Sequence, residues 1–254
     1  MLVDSHCHLE YEGLVEDQSA ALDRARGAGV EAFLNISTKR AEWDQVVGTA
    51  QAKADVFASV GIHPHNADDH LDLTRAELLE ATRDPNVIGI GETGLDYYYD
   101  HSDRAAQQRL FRLHIDVARE VQLPVIIHTR DAEEDTLAIL EDELGKGAFP
   151  ALIHCFTASA EFGERVLDLG LSVSISGIVT FKNAKDLQAF AKDIPPDRLL
   201  VETDSPFLAP VPHRGRPCEP GFVRDTAQFL ADLRGESLES LADYTTRNFY
   251  ALFG

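Results

Sequence analysis

The chain has 254 residues, 44% of them hydrophobic and 26% charged, which is ample material for one large core. No run of about 18 apolar residues is available to span a bilayer. The formal net charge of −20 argues against a protein that coats DNA or anionic membrane, because neutralising many phosphates needs a basic surface.

The first segment, Leu2–Cys7, is apolar at its start and leads into His6-Cys7-His8. In a strand His6 and His8 share a face, with Asp4 one step behind them to orient an imidazole. A helix near residues 18–28 ends at Gly29. An apolar run over 30–36 follows, then a helix over 41–52 whose Trp43 is read as a packing residue. Residues 56–60 form the third strand and lead to Gly61-Ile62-His63-Pro64-His65, before a helix over 75–83. The fourth strand, 86–90, ends in Gly91-Glu92-Thr93-Gly94-Leu95-Asp96-Tyr97. The next helix, 104–121, carries Leu110, Leu113, Val117 and Val121 at helical spacing, and His114 on that stripe is expected to be a buried, hydrogen-bonded residue.

The second half keeps the rhythm. Strand 124–127 ends at His128, strand 151–153 at His154, and strand 171–175 at Ser176-Gly177, with helices near 134–144, 160–169 and 184–192 between them. Strand 199–201 ends in Glu202-Thr203-Asp204-Ser205-Pro206, and a Pro-rich loop runs on to about Pro220. Two amphipathic helices, 222–233 and 238–252, close the chain. Eight strands alternating with helices predict an α/β fold, a (β/α)8 TIM-type barrel forming a single domain over 1–254. In such barrels catalytic side chains stand at the C-terminal ends of strands, where His6, His8, His63, Glu92, His128, His154 and Asp204 all fall.

Three cysteines cannot all pair within the chain, and Cys7 and Cys155 are expected to turn away from the ligand face as small core residues. Together with a first stretch unlike a secretory signal, this suits a reducing cytoplasm. Four imidazoles and two carboxylates are too many for one tetrahedral ion with an open position, and they suit two divalent metals with Glu92 as the bridge. Asp204 could both hold a metal and take the proton of an attacking water. Glu202 is expected to support a ligand histidine from behind. Arg130, the His213-Arg214-Gly215-Arg216 patch and the turn carrying Lys182 suggest a phosphate rim, with Arg130, Arg214 and Arg216 as its binding residues. No Gly-rich phosphate loop, nucleophile elbow or Cys/His protease pattern supports covalent catalysis.

The segments Asp4–Leu9, Gly61–His65, Gly91–Tyr97 and Glu202–Pro206 resemble, in order and from end to end, the signatures of the TatD family of metal-dependent deoxyribonucleases. The resemblance implies 3′-to-5′ exonuclease action on single-stranded ends of DNA or RNA. It assigns His6, His8, Glu92 and Asp204 to one metal and Glu92, His128 and His154 to the other. His63 and His65 would serve an additional metal or the scissile phosphate. The ion could be Mg2+, Mn2+ or Zn2+, two per subunit with a possible third. A nucleic-acid substrate is implied, with no membrane and no obligate protein partner. One departure is Cys218, where the family's basic loop commonly has Asn. The competing expectation is an amidohydrolase-type ester or C–N hydrolase, such as an aminoacyl-tRNA deacylase, which a metal site alone does not exclude.

Overall fold

The computed structural model describes residues 1–99 and 101–254. Strands β1 (Leu2–Cys7), β2 (Val30–Asn35), β3 (Val56–Val60), β4 (Val87–Asp96), β5 (Val125–Arg130), β6 (Ala151–Ile153), β7 (Ser172–Ile175) and β8 (Leu199–Val201) lie side by side in sequence order. Every neighbouring pair is parallel. Backbone beyond β8 closes the ring on β1: Asp204 N donates to His6 O at 2.9 Å and His8 N to Ser205 O at 2.8 Å. The molecule is the expected (β/α)8 barrel.

Helices α1 (Gln18–Gly27), α2 (Trp43–Ala52), α3 (Arg75–Ala81), α4 (Arg104–Val121), α5 (Glu133–Leu144), α6 (Ala160–Asp168), α7 (Lys185–Asp193), α8 (Val223–Arg234) and α9 (Leu238–Phe253) surround the strands. None of the described helices is long and apolar enough to cross a membrane. Local chemistry sets their starts: Thr74 and Glu77 form a reciprocal capping box on α3, and Asp103, Ser159 and Ser237 accept backbone N–H bonds at the starts of α4, α6 and α9.

Alternation divides the core in two. Residues such as Leu2, Val125, Ile127, Ile153 and Val201 join the larger apolar cluster with side chains of the surrounding helices. Val3, Leu34, Ile126, Leu152 and Leu200 form a second cluster, to which α9 contributes Phe249 and Phe253. Trp43 packs as expected, its indole N–H donating to Gly61 O at 3.0 Å.

Two departures from simple periodicity shape the mouth. First, β4 does not stop at Ile90; it continues to Asp96 while β5 continues to Arg130, with Gly94 opposite His128 and Asp96 opposite Arg130. Glu92 therefore lies within a strand, and the paired tails of β4 and β5 rise above their neighbours. Gly94 permits this approach. Its φ is +134°, and a Cβ there would lie 2.0 Å from His128 O. Second, β1 is irregular in register between Asp4 and Cys7, so strict two-residue alternation fails there.

Candidate metal centre

The ends of six strands bring the expected ligand types together. His6 Nε2 lies 3.3 Å from His8 Nε2, 3.5 Å from Glu92 Oε2 and 3.6 Å from Asp204 Oδ1. His8 Nε2 is 3.4 Å from the same Asp204 oxygen. The other Glu92 oxygen, Oε1, faces a second group: His154 Nε2 at 2.7 Å, His128 Nδ1 at 3.1 Å and His63 Nε2 at 3.4 Å. One carboxylate thus divides its oxygens between two clusters, the arrangement a bridging ligand requires. His63 belongs with the second cluster rather than apart from it.

Burial makes the site electrically demanding. Burial alone would raise the Glu92 carboxyl, but His154, His63 and His128 outweigh it and hold it well below the usual carboxylate range. For Asp204 the same opposition ends the same way, through His8 and His6. Burial pulls His63 well below its ordinary value and lowers His6, which also lies beside His154. For His154 burial is outweighed by Glu92 and Glu202, and its affinity for a proton is raised well above normal. The anionic pair therefore calls for positive charge in the cluster.

The residues fit a divalent cation. Buried polar atoms are nearly always paired, yet both ring nitrogens of His154 and Glu202 Oε1 are buried without a well-directed hydrogen bond, although carboxylate oxygens lie 2.7 and 3.4 Å from the ring nitrogens. Compact donor groups are formed by His6, His8 and Glu92, by His63, Glu92 and His128, and by His6, His154 and Glu202. Imidazole nitrogens with carboxylate oxygens are the donor set of zinc and manganese hydrolase sites, with magnesium favoured by the oxygens.

Around this core the structure corrects several expectations. Asp4 does not orient an imidazole. Its Oδ1 accepts from Thr203 N at 2.8 Å and its Oδ2 from Thr203 Oγ1 at 2.6 Å, so it ties β1 to the segment after β8. The register irregularity in β1 is the reason. Glu202 takes its expected place behind a histidine, 3.4 Å from His154 Nδ1, with the Ser174 hydroxyl donating to it. His65 turns to Asp96, a residue the sequence reading overlooked: Asp96 Oδ2 lies 2.8 Å from His65 Nε2 and 3.0 Å from His128 Nε2. Asp96 Oδ1 accepts the backbone N–H groups of Tyr98 and Tyr99. Burial opposes its charge, but His128 and His65 hold it far below the normal carboxyl range.

Above the cluster opens a cavity of about 860 Å³. Arg130 lines it, with its guanidinium 4.0 Å from the centre of the Tyr98 ring. Arg214 and Arg216 do not: both are exposed outside the lining, and Arg214 stacks 3.6 Å over Phe181. Lys182 is also exposed and outside the lining. Lys39, from the loop after β2, supplies the cation that the sequence reading missed, since no ligand-type residue ends that strand to draw attention to it. Cys7 is a core residue as expected, but Cys155 is not. It follows the short β6 with φ +44°, lines the cavity and sits 3.1 Å from Ser176 Oγ. Cys218 is buried, its backbone N–H bonded to Pro206 O, and does not reach the cavity.

An eight-stranded parallel barrel with a buried histidine–carboxylate cluster at the C-terminal ends of its strands is the architecture of a TIM-barrel metal-dependent hydrolase. The comparison with known proteins agrees in detail: the model of the TatD-related DNase family matches residues 3–254, and the chain belongs to that family. Similar proteins include an uncharacterized metal-dependent hydrolase of Escherichia coli, YcfH, 45% identical over 255 residues that cover 99% of this chain and 95% of the relative. A protein of Citrobacter koseri named 3′-5′ ssDNA/RNA exonuclease TatD is 33% identical over 259 residues, covering 100% of this chain and 99% of the relative. The crystal structure of YJJV, a TatD homologue from Escherichia coli, superposes with a TM-score of 0.92 at 28% identity, covering 99% of this chain and 97% of that one.

Proposed function

We propose that this metal-dependent hydrolase is a nuclease that cleaves phosphodiester bonds at single-stranded 3′ ends of DNA or RNA, using two divalent cations. The observation that carries this reading is the pairing of a two-sided Glu92 with Arg130 and Lys39 around one cavity. That combination suits a phosphoryl centre flanked by anionic oxygens. His6, His8, Glu92 and Asp204 would hold one ion, and Glu92, His63, His128 and His154 the other. Divalent ions so held supply Lewis acidity, lowering the pKa of water and drawing charge from phosphoryl oxygens.

The chain's own residues do the rest. Asp204 and Glu92 both line the cavity, and Asp204 is the more open of the two: its side chain is 16% exposed, against 4% for Glu92. That greater exposure supports giving it the role of accepting the proton of the attacking water. Its backbone stands in the left-handed region, φ +58°, which Asp tolerates better than most residues, and this aims the carboxylate back over His6 and His8. Asp96 holds His128 and His65 from behind, and Arg130 neutralises the non-bridging oxygens. The name of the Citrobacter koseri relative supports the choice of substrate. The acidic surface favours a free end entering the cavity over a duplex lying across it.

The test is divalent-ion-dependent turnover on labelled single-stranded DNA, RNA, blunt duplex and an aminoacyl ester, with linear and covalently closed single-stranded forms of one sequence. Release of mononucleotides from linear strands, with closed circles resistant, is expected. Equal initial rates on circle and linear strand would refute end dependence, and turnover of the aminoacyl ester alone would move the protein to the rival ester-hydrolase class.

A further inference from the structure

Exposed aromatic rings are concentrated at the barrel mouth. Tyr98, Tyr99 and Phe207 are 57%, 48% and 49% exposed, although most of the protein's large apolar side chains are buried. They stand in two groups. Phe207, in the segment after β8, packs edge-on against Tyr11 and His8, with centroids 6.0 and 6.3 Å away, and Tyr11 stacks on His8 at 4.7 Å. Tyr99, beyond β4, stacks on His101 with an interplanar angle of 5°, and the Arg130 guanidinium lies over Tyr98 and Tyr99 at 4.0 and 4.7 Å. Phe207 and Tyr11 on one side, and Tyr99, His101 and Arg130 on the other, line the same cavity as Glu92 and Lys39, while Tyr98 backs Arg130 from outside the lining.

Strand order places them opposite one another. In a closed ring of eight strands, the seam between β8 and β1 is diametrically across from the seam between β4 and β5. A phosphodiester over Glu92 therefore has one aromatic wall on each side. We infer that these walls are base-stacking subsites: Phe207 with Tyr11 receives one of the two bases flanking the scissile phosphate, and Tyr99 with His101 the other.

This inference rests on the nuclease reading and sharpens it. Flat rings accept any base through its π-face, so the enzyme tolerates sequence. Bases still paired and stacked in a duplex present no free face to either wall, so single strands are selected by stacking as well as by charge. Arg130, its guanidinium 4.0 and 4.7 Å from the Tyr98 and Tyr99 ring centres, is poised between a base and its phosphate.

The experiment uses the full-length, metal-loaded protein and single-stranded oligonucleotides in which a propanediol spacer replaces the nucleotide on one side of the scissile bond or the other. For wild type, each spacer should raise KM about 5- to 100-fold, the range expected for loss of one stacked base. Phe207→Ala and Tyr99→Ala should each remove at least 5-fold of the preference for a base on one side only. Phe207→Leu, which keeps apolar bulk without a flat face, should behave as Phe207→Ala, whereas Tyr99→Phe should behave as wild type. Metal content and melting temperature confirm that each variant is folded. Preferences that survive both alanine variants, or a wild type indifferent to the spacers, would overturn the stacking subsites and leave the nuclease reading standing. A wild type that cleaves none of these oligonucleotides would overturn both.

Discussion

His114 provides a test that combines acid stability with the architecture of the site. Its Nδ1 donates to Leu110 O at 2.7 Å, and its Nε2 accepts from Ile62 N at 3.1 Å. Ile62 immediately precedes His63, so a neutral imidazole on α4 anchors the end of β3 that carries a cluster residue. Protonation would place a proton on Nε2 and destroy the Ile62 bond inside the core. Burial accordingly lowers the His114 pKa from 6.5 to about 4. The sign follows directly. Between these values the unfolded chain binds a proton that the folded chain refuses, so stability falls as pH drops through this window and levels off below it. From pH 7.5 to 4.5 this one residue should contribute about 2–3 kcal/mol of lost stability. The measurement is urea unfolding of wild type and His114→Gln at both pH values, in chelator so that other histidines titrate alike in both proteins. The variant is expected to be weaker at pH 7.5 but to lose about 2–3 kcal/mol less than wild type on acidification. Parallel losses, within about 0.5 kcal/mol, would refute the reasoning, because a titrating buried imidazole cannot be silent in this comparison.

Asp204→Asn should lower kcat by about two or more orders of magnitude while the barrel stays folded, since it removes the carboxylate proposed as both a ligand and the proton acceptor; kinetics with circular dichroism decide it, and a loss of only a few-fold would contradict the role. Arg130→Ala should raise KM for a phosphodiester roughly 10- to 100-fold, the worth of a charge-assisted hydrogen bond, while Arg214→Ala stays within about 2-fold. Steady-state kinetics that ranked them the other way would restore the loop arginines as the phosphate rim. With Arg130 and Lys39 as the cations lining the cavity, the log–log salt slope for single-strand binding should be about −1 to −2 at ~0.7 per contact; a steep slope measured by anisotropy would reveal a further basic track. Gly94→Ala should destabilise the fold by roughly 2–3 kcal/mol in urea, as its Cβ would collide with His128 O at a φ of +134°. Unchanged unfolding would mean that the β4–β5 tails are not tightly paired.

The barrel and most of its candidate metal-binding side chains are legible in the chain itself because both are local patterns. A short apolar run, a ligand-type residue and a helix with its own cap recur down the sequence, and parallel connection of such units leaves little choice of architecture. His6, His8, Glu92, His128, His154 and Asp204 could be singled out for the same reason, as each ends or continues a strand. The burial of His114 was likewise legible, from its place on the apolar stripe of α4.

Tertiary structure decided what depends on register and on the course of loops. Whether β4 ends at Ile90 or continues to Asp96 is settled by pairing with β5, and that extension brings Asp96 to His65 and His128. The sequence held a faint trace of it: Glu92, Gly94 and Asp96 alternate on one strand face. The irregularity in β1 sent Asp4 to Thr203, which no spacing rule could foresee because the partner lies 199 residues away. The positions of the cations were decided the same way. Arg214 and Arg130 are alike as sequence symbols, but Phe181 claims one while the tyrosines after β4 hold the other at the cavity. Periodicity tells which face and which end of an element a residue occupies; only long-range packing determines which distant group it meets there.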